Sequence, residues 1–233
     1  MSNLVVIGAS RGLGAALAIG LPKAGDKVWA VSRTKPDYLS RDNGIERVWI
    51  EADLSSNNAI TTIVNAIGQR AIDTFIYNAG IWENDTFENS ADSEIRSIVD
   101  TNLTSLLLCI KHLTPNIRSA THSRIVFIGS TCGLENEGAK AVAYTATKFA
   151  MRGAAHSLRE VFRDSGISVT CISPGSMATD ISYDDGPDAA LNKYEGKRIP
   201  VHDIVNLIRC IISMSAASCI KEVDIPATLD TDV

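Results

Sequence analysis

The chain has 233 residues, 45% of them hydrophobic and 21% charged, with 22 Lys and Arg against 27 Asp and Glu for a net charge of −5. That composition suits a globular chain with a substantial core, and its acidic balance gives no electrostatic footprint for nucleic acid. No apolar run approaches the ~18–20 residues that span a bilayer, and the first strand-like run begins at Asn3, which leaves no room for a signal peptide.

The five cysteines (Cys109, Cys132, Cys171, Cys210, Cys219) have no paired spacing, and three sit in apolar runs where a reduced core thiol is the expectation. The histidines, His112, His122, His156 and His202, lack metal-ligand spacing, so no metal site is expected. These features predict a cytoplasmic protein with no membrane or nucleic-acid partner.

Short β-branched runs at 4–8, 27–32, 47–51, 74–78, 124–129, 167–172 and 221–225 alternate with helical patterns near 12–24, 56–70, 92–119, 143–164 and 202–216. The strand runs are almost continuously apolar, as parallel strands covered on both faces must be. The alternation predicts an α/β fold: a Rossmann-type doubly wound parallel sheet of about seven strands, helices on both faces, in one domain over 1–233. Pro22 predicts a stop or kink at the end of the first helix, near Gly25.

The first strand leads into Gly8-Ala-Ser10-Arg11-Gly12-Leu13-Gly14 and then a helical segment. A glycine-rich strand-to-helix turn lets backbone approach a pyrophosphate, which the helix N-terminus then holds. Ser10, Arg11 and Leu13 join the three glycines as expected cofactor contacts. The second strand ends Val31-Ser32-Arg33, without the carboxylate that binds the adenosine ribose of NAD. Arg33 and Arg11, with Ser32 beside them, suit a 2′-phosphate, so NADP(H) is expected over NAD(H).

Tyr144 and Lys148 stand four residues apart in a helical stretch, on one face. A phenol titrates near ~10 in water. An ammonium about 4 Å away contributes about 4 kcal/mol at an effective dielectric of ~20, which favours phenolate by roughly three pKa units before desolvation opposes it. The pair predicts a tyrosine that exchanges protons near neutral pH.

Together these residues resemble the short-chain dehydrogenase/reductase family in its single-domain form, over nearly the whole chain. Gly8, Gly12 and Gly14 match the family's glycine motif, although Ile7 stands where Thr is frequent. The resemblance assigns Asp53 to the adenine amino group, with Leu54 beside it. It assigns Asn78-Ala79-Gly80 to support of the sheet next to the cofactor, and Asn102 to a water beside the catalytic lysine. Pro174-Gly175, Met177 and Thr179 match the segment that holds the nicotinamide carboxamide. The family spacing to Tyr144 would nominate Thr131 as the carbonyl polariser, whereas alignment of the following Gly133-Leu134 returns Ser130, the better match. The implied catalytic set is Asn102, Ser130, Tyr144 and Lys148, with Tyr144 and Lys148 also touching the cofactor.

The implied reaction is hydride transfer between nicotinamide C4 and a carbonyl or carbinol carbon. The expected function is NADP(H)-dependent reduction of a small ketone or aldehyde, with Tyr144 as general acid. The alternatives are a 3-oxoacyl-carrier-protein reductase and a non-catalytic NADP-binding sensor or scaffold. The lid region from Ala178 to about Arg198 carries Asp180, Asp184, Asp185 and Asp188, and the loop after Ser130 adds Glu135 and Glu137. An acidic mouth disfavours an acidic carrier protein. The end of the chain lacks the glycines of the family's intersubunit tail, so a homodimer stands beside the usual homotetramer as the expected assembly.

Overall fold

The computed structural model describes residues 1–135 and 140–230; Glu137 of the acidic loop lies outside the described residues. Seven strands, β1 (Asn3–Ile7), β2 (Lys27–Ser32), β3 (Glu46–Glu51), β4 (Thr74–Tyr77), β5 (Arg124–Ile128), β6 (Ser168–Pro174) and β7 (Glu222–Ile225), form one sheet in the order β3-β2-β1-β4-β5-β6-β7. Every pairing is parallel. The helices are α1 (Gly12–Gly20), α2 (Ala59–Ile67), α3 (Asp92–Val99), α4 (Ser105–Arg118), α5 (Val142–Val161), α6 (Pro187–Tyr194) and α7 (Val201–Ser213).

Period-two alternation explains why the strands read as unbroken apolar runs. Val5, Ile7, Trp29, Val31, Phe75, Tyr77 and Phe127 point into a core shared with α2, α4 and α5. Their neighbours Leu4, Val6, Val28, Ala30, Ile76 and Val126 point the other way, into a core shared with α1 and α7. Both faces are therefore covered. The strand order reverses between β1 and β4, whose ends meet where Ile7 aligns with Tyr77. The crevice beyond the carboxyl ends at such a reversal is where open α/β sheets hold ligands.

Several details differ from the sequence expectation. The helix expected over 92–119 is α3, a π turn at Asp100–Thr104, and α4. The lid, read without a helix, contains α6, which starts at Pro187 after Gly186 at φ 79°. The Gly-Pro pair that reads as loop punctuation is also a good helix start, because proline at the first helical position loses no bond. Helix α1 ends at Gly20, ahead of Pro22 as expected. Cys109 and Cys171 lie in the core, whereas Cys210, within an apolar run, is exposed.

The tail packs in cis. Asp230 accepts from the Ser176 amide at 3.0 Å, and the Leu229 amide donates to Gly196 at 3.3 Å, fastening the last described residues to the segment after β6 and the end of α6.

Candidate active site

The first βα turn is built around positions where only glycine fits. Gly8 adopts φ +85°, and a Cβ there would stand 2.7 Å from the Ala79 backbone. A Cβ on Gly14 would stand 1.9 Å from the Gly8 carbonyl and 2.8 Å from Asn78 Nδ2. The Asn78 side chain in turn donates to the Gly8 carbonyl at 2.8 Å, locking the end of β4 to the turn. This close packing leaves a cleft of about 510 Å³ above the turn, within the range of small-molecule sites. The cleft is lined by Gly8, Ser10, Arg11, Gly12 and Leu13, by Ser32, Arg33, Asp53 and Leu54, by Asn78, Ala79 and Gly80, and by Met177 and Thr179. Of the expected cofactor residues, Gly14, Pro174, Gly175, Tyr144 and Lys148 do not line it. Gly14 acts through packing, and Gly175 backs onto Pro226 and Asp230.

At the adenosine end, Arg11 and Arg33 are exposed, and neither guanidinium has a hydrogen-bond or ion-pair partner among the described residues. The Ser32 hydroxyl is already engaged, donating to the Thr34 carbonyl at 2.8 Å and accepting from Trp49 Nε1 at 3.2 Å. Asp53 forms a local turn, accepting from the Ser55 hydroxyl at 2.8 Å and the Ser55 amide at 3.1 Å. Those bonds, helped by Arg33, hold its carboxyl below the ordinary carboxylate range. A cleft with a backbone cradle and two exposed guanidiniums beside it fits a dinucleotide.

The cleft ends at Gly80. A Cβ there would lie 3.6 Å from Lys148 Nζ and 3.8 Å from Asn102 Oδ1. Lys148 is buried at 4% exposure, and its ammonium donates to the Ile128 carbonyl at 2.8 Å. It sits 5.3 Å from the centre of the Tyr144 ring. Burial lowers the Lys148 pKa to about 8. The pKa of the Tyr144 phenol is pushed up to about 12 by burial, against a lowering by the neighbouring Ser130 and with smaller raises from Cys132 and Glu83. Desolvation is the largest cause, and Lys148 is not among the groups that shift the phenol in this structure. Ser130 Oγ accepts from the Cys132 amide at 3.2 Å, which leaves its proton free to donate. Ser130 is the neighbour that influences the phenol, whereas Thr131 is buried in the following 3₁₀ turn (Thr131–Gly133).

Asn102 stands in the π turn, where the widened helix directs its carboxamide inward. Oδ1 accepts from the Ile81 amide at 2.8 Å, while Nδ2 donates to the Ile81 carbonyl at 3.0 Å and to Thr147 Oγ1 at 3.1 Å. Thr147 donates to the Tyr144 carbonyl at 2.7 Å. The side chain thus ties α5 to the segment leaving β4.

That segment holds two residues the sequence did not single out. The Trp82 ring lies 4.3 Å from the Tyr144 ring, centre to centre, and remains half-exposed. Glu83 is buried against the start of α5, where it accepts from the Ala143 amide at 2.6 Å and the Tyr144 amide at 3.2 Å. No periodicity or spacing marks either one, because each acts on a helix sixty residues away in sequence. Ser97 and Thr101, which line the cleft from α3 and the π turn, were also missed. In the lid, Asp180 pairs with Lys193 and accepts from Tyr194 at 2.8 Å, and Asp184 pairs with Arg41. Two of the four lid carboxylates are therefore neutralised, and the mouth is less acidic than the sequence suggests.

The parallel order, the glycine turn and the cleft at the strand reversal define a dinucleotide-binding α/β protein. The family of short chain dehydrogenases matches residues 2–189, and the chain belongs to that family: it is an oxidoreductase of the kind that holds a nicotinamide cofactor. It is 26% identical over 226 residues to a 3-oxoacyl-[acyl-carrier-protein] reductase of Staphylococcus epidermidis, covering 92% of each chain. It is 28% identical over 223 residues to the Escherichia coli K12 protein of the same name, covering 91% of this chain and 90% of that one. Among solved structures, a short chain dehydrogenase family protein from Francisella tularensis superimposes with a TM-score of 0.80 at 23% identity, covering 97% of both chains. L-sorbose reductase from Gluconobacter frateurii, complexed with NADPH and L-sorbose, gives 0.81 at 19% identity over 99% of this chain and 97% of that one. No helix among the described residues is long and apolar enough to cross a membrane.

Proposed function

We propose that this chain reduces a small ketone or aldehyde to an alcohol with NADPH as the electron donor. The observation that carries the reading is the Ser130–Tyr144–Lys148 group, set beside the far end of a cleft whose near end presents Arg11 and Arg33. A bound nicotinamide supplies hydride at C4. Ser130, its hydroxyl proton uncommitted, donates to the carbonyl oxygen and polarises it. Tyr144 gives that oxygen its proton, and burial keeps the phenol protonated well above neutral pH. Lys148 holds the nicotinamide ribose and offers a nearby cation as negative charge develops on the phenol. The unused lone pair of Asn102 Oδ1, close to Lys148 Nζ across Gly80, suits a water through which the proton is replaced. At the other end Arg11 and Arg33 take the 2′-phosphate that distinguishes NADP from NAD.

A second reading, 3-oxoacyl-carrier-protein reduction, has the names of the relatives in its favour, and the paired lid carboxylates weaken the electrostatic objection to it. A panel of free aldehydes, ketones and diketones beside an acyl-carrier-protein β-ketoester, each with NADPH and NADH, separates the possibilities. The proposal expects turnover of free carbonyls with kcat/KM at least about tenfold higher for NADPH, the effect of one charged contact. Turnover confined to the carrier-bound ester favours the second reading. Binding of NADPH without any turnover would make the protein a sensor.

The assembly we propose is a dimer through α4 and α5, where Leu107, Leu108, Val142 and Phe149 are large apolar side chains left exposed. Light scattering of the purified protein should give twice the chain mass, and Phe149→Glu should halve it. A wild-type monomer at micromolar concentration would exclude this interface.

A further inference from the structure

The start of α5 lacks the cap that a helix normally carries. Its first four backbone N–H groups need acceptors, yet the residue before it, Ala141, has no side chain to offer. The acceptor comes from another part of the chain. Glu83 Oε1 receives the amides of Ala143 and Tyr144, and it lies 2.6 Å from the first and 3.2 Å from the second. A carboxylate at this end also meets the positive pole of the helix. The other oxygen, Oε2, is buried without a hydrogen-bond partner among the described residues. A half-satisfied buried carboxylate calls for an explanation, and its hydrogen bonds fall on the adjacent backbone amides of Ala143 and Tyr144.

The segment bearing Glu83 is itself anchored. Asn102 grips both the amide and the carbonyl of Ile81, two residues earlier, and reaches Thr147 on α5, which bonds the Tyr144 carbonyl. Trp82 packs its ring on that of Tyr144. Tyr144 is thereby held at its amide by Glu83, at its carbonyl by Thr147 and at its ring by Trp82.

We propose that Glu83 is a positioning residue for the reaction: by capping α5 from the β4 segment it fixes the backbone of Tyr144 and so the place of the phenol over the substrate oxygen. The proposal rests on the reading of Tyr144 as proton donor. It predicts that Glu83 matters to turnover and not to cofactor binding, since its bonds fall on the backbone amides of Ala143 and Tyr144 and on no group assigned to the dinucleotide.

The test compares Glu83→Ala, Glu83→Gln and Glu83→Asp with the wild type and with Tyr144→Phe, reading NADPH dissociation constant, kcat and carbonyl KM. Glutamine keeps an acceptor oxygen at the length of glutamate and loses no bond at Oε2; aspartate is one methylene too short to reach. The expected result is a kcat lowered roughly tenfold or more in Glu83→Ala, as misplacement of a reacting group implies. NADPH affinity should stay within about twofold, and kcat in Glu83→Gln within about threefold of wild type. If Glu83→Ala does not fold, Glu83→Asp against Glu83→Gln carries the comparison: aspartate should lose turnover and glutamine keep it. Unchanged kcat in the alanine or aspartate variant, or parallel loss of kcat and NADPH affinity, overturns the positioning role. Turnover by Tyr144→Phe would instead overturn the proton-donor reading, whatever the Glu83 variants do.

Discussion

Lys148 keeps a cation where almost no water reaches. Its ammonium meets the Ile128 carbonyl and, among the described residues, no carboxylate, and burial lowers its pKa to about 8 from the 10.5 of a free lysine. The sign of the linkage follows directly. Between those two values the unfolded chain binds the proton that the folded chain has released, so stability rises with pH through that window. The destabilising contribution, roughly 3 kcal/mol, is complete below about pH 8 and gone above about 10.5. Lys148→Met should therefore raise the urea midpoint of cofactor-free protein at pH 7, and raise it much less at pH 10, while abolishing activity. An equal change at both pH values would contradict this account of the buried ammonium. The sequence places Lys148 beside Tyr144 from their spacing, and the structure sets them together, but the lowering of the phenol expected from that spacing is not what burial gives. Spacing along a helix reports adjacency; it does not report how deeply both groups are buried, and here desolvation prevails.

Elements whose pattern is local were legible, and those defined by distant contacts were not. All seven strands were readable to within a few residues, because each puts alternate side chains into two different cores. The glycine turn was readable because Gly8 and Gly14 leave no room for a Cβ. The π turn was not, since the residues from Asp92 to Arg118 carry a continuous helical pattern. What interrupts it is the bonding of Asn102 to Ile81 and Thr147, two contacts with no trace in local periodicity. Likewise α5 looks uncapped in sequence, and its cap arrives from Glu83 across the molecule. Within the candidate site, the residues with a chemical signature of their own (the glycines, Tyr144, Lys148, Ser130) were found. Those that act by holding others (Trp82, Glu83, Thr147) were not.

At the scale of the whole molecule, the sheet brings its functional groups to one edge. Gly8 follows β1, Arg33 follows β2, Asn78 to Gly80 follow β4, Ser130 follows β5, and Met177 and Thr179 follow β6. The last described residues close on the segment after β6, where Asp230 accepts from the Ser176 amide. The account requires that this edge perform one coupled event, with hydride delivered from the cleft and a proton delivered from Tyr144. The most direct measurement is carbonyl-dependent NADPH oxidation by wild type and Tyr144→Phe, alongside NADPH binding by each. The account predicts equal NADPH affinity and a loss of turnover of at least about 100-fold on removal of the phenol hydroxyl. A Tyr144→Phe variant that binds NADPH and still turns over within about tenfold of wild type would contradict it.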